Sequence, residues 1–470
     1  VPELLSPARS EKGRAGEVFS DNRKKTRVED AMNMRHRLAA WALATAATFA
    51  ACTSSLAQSN PAYVRLGPVN AARFMPDSGP QPHIAILSAH RTGNTIGSST
   101  CNELAARGFM AICFETRYRN DDIGIQWEKL PHDVKAVMDY ARRQPGIRYV
   151  LLLGHSGGSP MMSLYQAIAE KGKSVCETKE LFTTCANENY GTLTPADGMI
   201  YPDAHPGNPV QALRSLNPAI TIEDGKKTVD ASLDMFNPAN GYNPHGASNY
   251  SPDFIARYYR AQSTKMNELI AKVQATQTRI AKGDYAYNDD DYIFLPGGNA
   301  VIVHAAPKLV PEMISTKKPT KLMRNDGSIA TQIVTSAMVA DEDEDLAGGA
   351  RSFDGTAVHK LSTFMSSVAI RSRDSLTDID YCSTINSTTC AVASIGAPSV
   401  FMAMGGYKFI RDHEIMYERS ASRDKDFVVI EGALHGYDPC KRCETTPGQY
   451  ANSTKNTFDY IRDWANARFK

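Results

Sequence analysis

Ser156 stands at the centre of Gly154-His155-Ser156-Gly157-Gly158, directly after the apolar run Tyr149-Val150-Leu151-Leu152-Leu153. A strand that stops in Gly-x-Ser-x-Gly predicts a sharp turn into a helix, with the serine hydroxyl raised at the end of a sheet. Glycine at 154 and 158 leaves room for a backbone too tight for a Cβ. Met161, Met162, Leu164, Tyr165 and Ile168 recur at helical spacing, so the helix follows at once. The chemistry this suggests is attack on a carbonyl carbon. The Gly157 N–H, with a helix N-terminus behind it, is the first candidate donor to the resulting oxyanion.

A serine hydroxyl needs a base within hydrogen-bond reach, and that base needs a third group to hold its tautomer. Among eleven histidines, His435 is the candidate base. It lies in Glu431-Gly432-Ala433-Leu434-His435-Gly436, just after the apolar run Asp426–Ile430 and before the last amphipathic helix. His155, beside the serine, points away from a tight turn and reads as structural. Three carboxylates compete for the third role, in the order Asp412, Glu414, Asp203. The first two follow the run Ser399–Met404, and Asp203 follows Gly198-Met199-Ile200-Tyr201. Each also reads as a loop carboxylate paired with arginine or capping a turn. The second oxyanion donor is expected from Ala89-His90-Arg91-Thr92-Gly93-Asn94, at Arg91 with Thr92 one residue away, although this loop also reads as a simple turn.

The elements that must position these residues alternate. Buried strands are predicted at 83–88, 109–114 and 149–153, and helices at 98–107 and around Val134–Ala141. Such alternation predicts βαβ units and a parallel sheet. Two further strands come late, at 399–404 and 426–430, and a helix with Phe458, Ile461, Trp464 and Phe469 on one stripe closes the chain. From about 207 to 395 the alternation disappears. Ser251-Pro252 predicts the start of a long helix running to about Lys282. The rest is rich in Asn, Asp, Gly and Pro. The chain is therefore divided into 1–57 (upstream extension and export signal), 58–206 (first part of the core), 207–395 (a largely helical inserted cap) and 396–470 (second part of the core).

The pentapeptide at Ser156, the histidine loop Gly432-Ala433-Leu434-His435-Gly436 and the chain order serine, acid, histidine resemble the α/β-hydrolase superfamily of serine esterases and related hydrolases. The resemblance covers about 82–206 and 396–470. It implies an α/β fold with a mostly parallel, doubly wound sheet and an inserted cap. It also implies an acid after the strand that precedes the histidine strand, which favours Asp412 or Glu414 over Asp203. Two departures are visible: His90-Arg91 where many members carry His-Gly, and no Gly-x-x-Asp spacing in the acid loop.

Bulk properties narrow the partners. The 470 residues are 42% hydrophobic and 22% charged with a formal net charge of +1, which gives no reason to expect nucleic acid or an anionic membrane as partner. Residues 1–33 are polar and charged, and a natural start is expected at Met32 or Met34. From Met34, Arg35-His36-Arg37, the apolar stretch Leu38–Ala51 and Ser55-Leu56-Ala57 read as a secretory signal cut before Gln58. The stretch is shorter than the roughly 20 residues of a membrane span. Lipid attachment at Cys52 is the lesser alternative.

Nine cysteines fit an oxidising compartment: Cys176/Cys185, Cys382/Cys390 and Cys440/Cys443 form close pairs, and Cys101 and Cys113 read as buried thiols or a fourth bridge. Cys440-x-x-Cys443 without a second such pair reads as a disulfide or two thiols rather than a metal site. The runs Asp289–Asp291 and Asp341–Asp345 lack the spacing of a calcium loop and read as solvated loops.

The sequence therefore predicts an exported serine hydrolase acting on a small-molecule carboxylic ester through an acyl-enzyme, with no metal or organic cofactor. Amidase, peptidase, polyester depolymerase and acyltransferase activities share the same chemistry. A non-catalytic secreted binding protein of the same fold is the alternative of another class.

Overall fold

The computed structural model describes residues 61–223, 226–243, 248–295, 311–338 and 357–470. The expected signal segment, Cys52 and the acidic run 341–345 lie outside the described residues.

A ten-stranded sheet organises the chain. Its strands are β1 (Ala62–Leu66), β2 (Val69–Phe74), β3 (Ile84–His90), β4 (Met110–Glu115), β5 (Tyr149–Leu153), β6 (Gly198–Pro202), β7 (Thr320–Met323), β8 (Ile329–Gln332), β9 (Ser399–Met404) and β10 (Lys425–Ile430). They lie in the order β1-β2-β4-β3-β5-β6-β9-β10-β7-β8. The run from β4 to β7 is parallel, while β2 is antiparallel to both its neighbours and β8 is antiparallel to β7.

The central strands are continuous apolar runs because helices cover both faces. The side-chain period of two divides each strand between two cores. Val150 and Leu152 face one side with Leu87, Ile112 and Phe401. There they meet α2 (Leu130–Arg142), α3 (Gly158–Lys171) and, in the second half of the chain, Ile410 and Met416. Leu151 and Leu153 face the other side with Ile86, Ile200, Met402 and Val428. They pack on Cys101 and Leu104 of α1 (Ser99–Ala105) and on Phe458, Ile461 and Trp464 of the C-terminal helix Ser453–Arg468.

The inserted region is more mixed than a helical cap. It holds α4 (Asn208–Ser215) and α5 (Pro252–Ala281). Among its described residues are also three small antiparallel pairs, Ile220–Glu223 with Lys226–Val229, Tyr292–Leu295 with Ala357–Lys360, and Ser372–Asp374 with Asp378–Ile379. The long helix starts where the sequence predicts, and Ser251 Oγ accepts from the Phe254 N–H at 3.1 Å. Its buried face (Met266, Ile270, Val273) packs on Val210 and Leu213 of α4 and on Phe364, forming a core of its own.

One part of the predicted cap belongs elsewhere. Thr320–Met323 pairs in parallel with β10 and turns back as β8, so this hairpin extends the main sheet. The α6 helix (Ile410–Arg419) lies between β9 and β10 in sequence.

Among the described residues four disulfides are formed: Cys101–Cys113, Cys176–Cys185, Cys382–Cys390 and Cys440–Cys443, with Cα–Cα distances of 6.0, 5.5, 5.2 and 5.2 Å. The pairing of Cys101 with Cys113 ties α1 to β4. No helix among the described residues is long and apolar enough to cross a membrane. No group of three or more His, Cys, Asp and Glu residues suited to a metal ion occurs among them either. In the Asp289–Asp291 run, Asp290 accepts from Ser362 Oγ and Asp291 from the Tyr285 hydroxyl, each at 2.6 Å.

Candidate functional site

The parallel strands end at one edge of the sheet, and Ser156, Asp203, His435 and Arg91 lie on the loops there. β5 ends at Leu153 and α3 begins at Gly158. Between them Ser156 sits at φ +52°, in the left-handed region that few residues other than glycine adopt. The turn is possible only because its neighbours are small. A Cβ on Gly158 would lie 2.0 Å from the Ala89 carbonyl oxygen, and one on Gly154 would lie 2.7 Å from the Ser159 Cα. The first turn of α3 is closed by Gly158 N–H to His155 O (2.8 Å) and Ser159 N–H to Ser156 O (3.1 Å). Gly157 stands at the N-cap.

His435 reaches this turn from the loop after β10. Its Nε2 accepts the Ser156 hydroxyl at 2.9 Å. The ring is stacked on Tyr407 with centroids 5.0 Å apart and tilted against His155 at 4.6 Å. His155 also donates from Nε2 to the His435 carbonyl at 2.7 Å, so it serves the site as a brace.

The carboxylate at His435 is Asp203, not the expected Asp412. His435 Nδ1 donates to Asp203 Oδ2, and Asp203 is fully buried. Three backbone bonds bring Asp203 to this place. Its own N–H donates to Met402 O at 2.8 Å, Ser156 N–H donates to Asp203 O at 3.3 Å, and His205 N–H donates to Ser156 O at 3.2 Å. Asp203 is itself left-handed at φ +42°. The loop after β6 therefore runs alongside the serine turn as a short continuation of the sheet, with a parallel bridge between Ser156 and Ala204.

Asp412 and Glu414 are committed elsewhere because the chain after β9 has already entered α6. Arg214 Nη1 lies 3.0 Å from both Asp412 oxygens, and both side chains are buried. Burial alone would lower Arg214, but Asp412 outweighs it and holds the guanidinium above its usual value. Glu414 accepts from the Lys317 and Lys318 N–H groups at 2.8 Å each and pairs with Arg411. These two carboxylates anchor the inserted region to α6.

The expected oxyanion loop follows β3. Thr92 and Gly93 donate their N–H groups to His90 Nδ1 at 3.3 and 2.8 Å. Arg91 Nη2 pairs with Asp122 at 3.0 Å, Thr92 Oγ1 donates to the same carboxylate at 2.9 Å, and Thr116 Oγ1 donates to Arg91 O at 2.5 Å. The Arg91 guanidinium lies against Gly157: a Cβ there would come within 2.1 Å of Nη1. A cavity of about 340 Å³ opens on the α1 side of this loop, with Ser88, His90, Thr95, Thr100, His155 and Tyr437 in its wall.

Sequence reasoning missed His205 and His413. His205 Nε2 lies 3.2 Å from Ser156 Oγ, and His413 Nε2 accepts from the Ala204 N–H at 2.8 Å. The signal for His205 was its place two residues after Asp203.

Four histidines around Ser156 are held neutral. Burial pushes His155 down to about 3, aided by His435. Burial also pushes His90 and His205 well below the usual imidazole range, with Arg91 and His435 adding to it in both. His413 is lowered by burial, partly offset by Asp203. A group whose folded pKa is depressed stabilises fully above its unfolded pKa, near 6.5, and the stability is lost as pH falls towards the folded value. Each such histidine costs up to about 1.4 kcal/mol per pH unit in that window. The Tm is therefore expected to fall steadily from pH 7 to pH 5, and a flat Tm over this range would contradict the neutral assignment.

The strand order β1-β2-β4-β3-β5-β6-β9-β10, with a serine turn after β5 and a histidine loop after β10, is that of an α/β-hydrolase fold. No protein-family model matches the chain, and no curated protein matches it. Among solved structures it is similar to a hypothetical protein from Pseudomonas aeruginosa, at 11% identity over 89% of this chain and 98% of that one, with a TM-score of 0.39. It is also similar to a highly thermostable carboxyl esterase from Bacillus coagulans, at 10% identity over 87% and 98%, with a TM-score of 0.37. Est1E from Butyrivibrio proteoclasticus is similar at 11% identity over 87% and 100%, with a TM-score of 0.34.

Proposed function

We propose that the protein is an exported serine hydrolase that cleaves carboxylic esters through an acyl-enzyme. The observation that carries this reading is the hydrogen-bonded line from Ser156 Oγ through His435 to the buried Asp203 carboxylate. In that line His435 carries its proton on Nδ1 and offers Nε2 as a base. Ser156 attacks the ester carbonyl as its proton passes to Nε2, and Asp203 stabilises the imidazolium that forms. The N–H groups of Gly157 and Arg91 are assigned to the oxyanion. His435 then protonates the departing alcohol, and a water activated by the same imidazole releases the acid. Export is supported by the four disulfides and by the signal-like residues 34–57.

The test is turnover of p-nitrophenyl acetate and butyrate beside the corresponding p-nitroanilides. Ester hydrolysis, with the anilides much slower, is expected. Faster anilide cleavage would reassign the protein as an amidase, and no turnover of any member would overturn the proposal.

A further inference from the structure

We propose that His205 is a second imidazole acting on the nucleophile: its Nε2–H donates to Ser156 Oγ and stabilises the charge that gathers on that atom. This rests on the reading of Ser156 as the nucleophile, and it gives His205 a role separate from the proton transfer assigned to His435.

Two imidazole nitrogens converge on one hydroxyl, His435 Nε2 at 2.9 Å and His205 Nε2 at 3.2 Å. A hydroxyl has one proton and two lone pairs. His435 uses its Nδ1–H on Asp203, so its Nε2 must accept the serine proton. His205 must then approach a lone pair of Oγ as a donor. The remainder of the ring agrees. His205 Nδ1 is buried and has no hydrogen-bond partner among the described residues, beside the edge-on ring of Phe409 at 5.1 Å. Orphaned buried N–H groups are rarer in folded proteins than under-satisfied acceptors. The groups facing the ring are His435, Arg91, His90 and Lys408, all of which oppose a positive charge on it. His205 is thus the neutral Nε2–H tautomer.

Its position is fixed by the bonds that place the acid. His205 N–H donates to Ser156 O, and Ser159 Oγ donates to His205 O at 3.2 Å. Asp203 and His205 flank Ala204, which bridges to Ser156, so the acid and the second donor arrive together.

A charge-assisted hydrogen bond is roughly twice as strong as a neutral one. The His205 N–H therefore holds Oγ more tightly as its proton leaves for His435 than in the resting hydroxyl. During acylation the Oγ–carbon bond forms while the carbonyl electron pair moves to its oxygen. That pair then returns and expels the alcohol, which takes the proton from His435. During deacylation water gives a proton to His435 and bonds to the acyl carbon, the Oγ–carbon bond breaks, Oγ takes its electron pair, and His435 passes the water's proton to Oγ. The His205 proton is transferred in neither step.

His205→Phe keeps a ring and removes the donor. The expected result with p-nitrophenyl acetate is a loss of about 10²-fold in kcat with KM little changed. The acid limb of the pH profile should stay in place, because His435 remains the base. His205→Gln, which carries an N–H near the same point, should recover most of the loss. A folded His205→Phe enzyme with unchanged kcat would overturn the proposal, as would a lost or displaced acid limb. Should the variants not fold, nitrogen-15 imidazole spectra of the wild type decide. A neutral Nε2–H tautomer for His205 between pH 7 and 5 is expected, and an Nδ1–H tautomer or an imidazolium overturns it. Ser156→Ala separates the two levels. Full activity there removes the nucleophile reading itself, whereas an inert Ser156→Ala beside a fully active His205→Phe removes only the role of His205.

Discussion

Ser156→Ala and His435→Ala are each expected to lower kcat for ester hydrolysis about 10⁶-fold, with the double variant no slower than either single one. The reason is that the two residues act in one step. Without the imidazole, Oγ keeps its proton, and without Oγ the imidazole has only water to activate. Neither change should unfold the protein. Alanine at 156 meets the same left-handed backbone strain as serine and adds no atom. His435 is partly exposed, and its truncation removes ring contacts with Tyr407 and His155 and the donor to the buried Asp203, so this variant should melt earlier than wild type while remaining folded. Steady-state kinetics with thermal melting would check this. A single variant within tenfold of wild type, or losses that multiply in the double variant, would contradict a shared step.

Asp203→Asn and Asp412→Asn are expected to fail in opposite ways. Asparagine at 203 no longer imposes the Nδ1–H tautomer on His435, and the comparable change in a serine protease triad costs about 10⁴-fold in kcat. Its volume is unchanged, so the melting temperature should move little. Asparagine at 412 leaves the buried Arg214 guanidinium without its counter-charge. Breaking a buried pair in this way costs about 3–5 kcal/mol. The Asp412 variant should therefore melt earlier and, while folded, turn over at the wild-type rate. The reverse pattern, with kcat lost at 412 and kept at 203, would restore Asp412 as the acid.

The contrast between these carboxylates shows what the sequence could reveal. The run Ser399–Met404 was legible residue for residue as β9, and Tyr149–Leu153 as β5, because buried parallel strands are unbroken apolar runs. Ser156 and His435 were legible because each follows such a run inside a glycine-bearing turn. Asp412 was favoured as the first carboxylate after β9, but proximity in sequence is not proximity at the sheet edge. Eight residues past Met404 the chain is already in the first turn of α6. Asp203 follows β6 by one residue, and β6 is the direct neighbour of β5. Strand adjacency decided the matter, and it is a property of the sheet order, which no local pattern encodes.

The hairpin of β7 and β8 escaped for a different reason. Its strands are four residues each and half exposed, so they carry little apolar signal. The Asn325-Asp326-Gly327 turn between them was the one visible mark. His205 was hidden because its role depends on a backbone bridge between residues 156 and 204, far apart in sequence.

The most direct test of the account is covalent. The folded protein is treated with a fluorophosphonate and digested, and the modified peptide is sequenced by mass spectrometry. One label per chain is expected, on Ser156, with labelling abolished in Ser156→Ala and strongly slowed in His435→Ala. A label on another residue, or undiminished labelling of Ser156→Ala, would contradict Ser156 as the nucleophile.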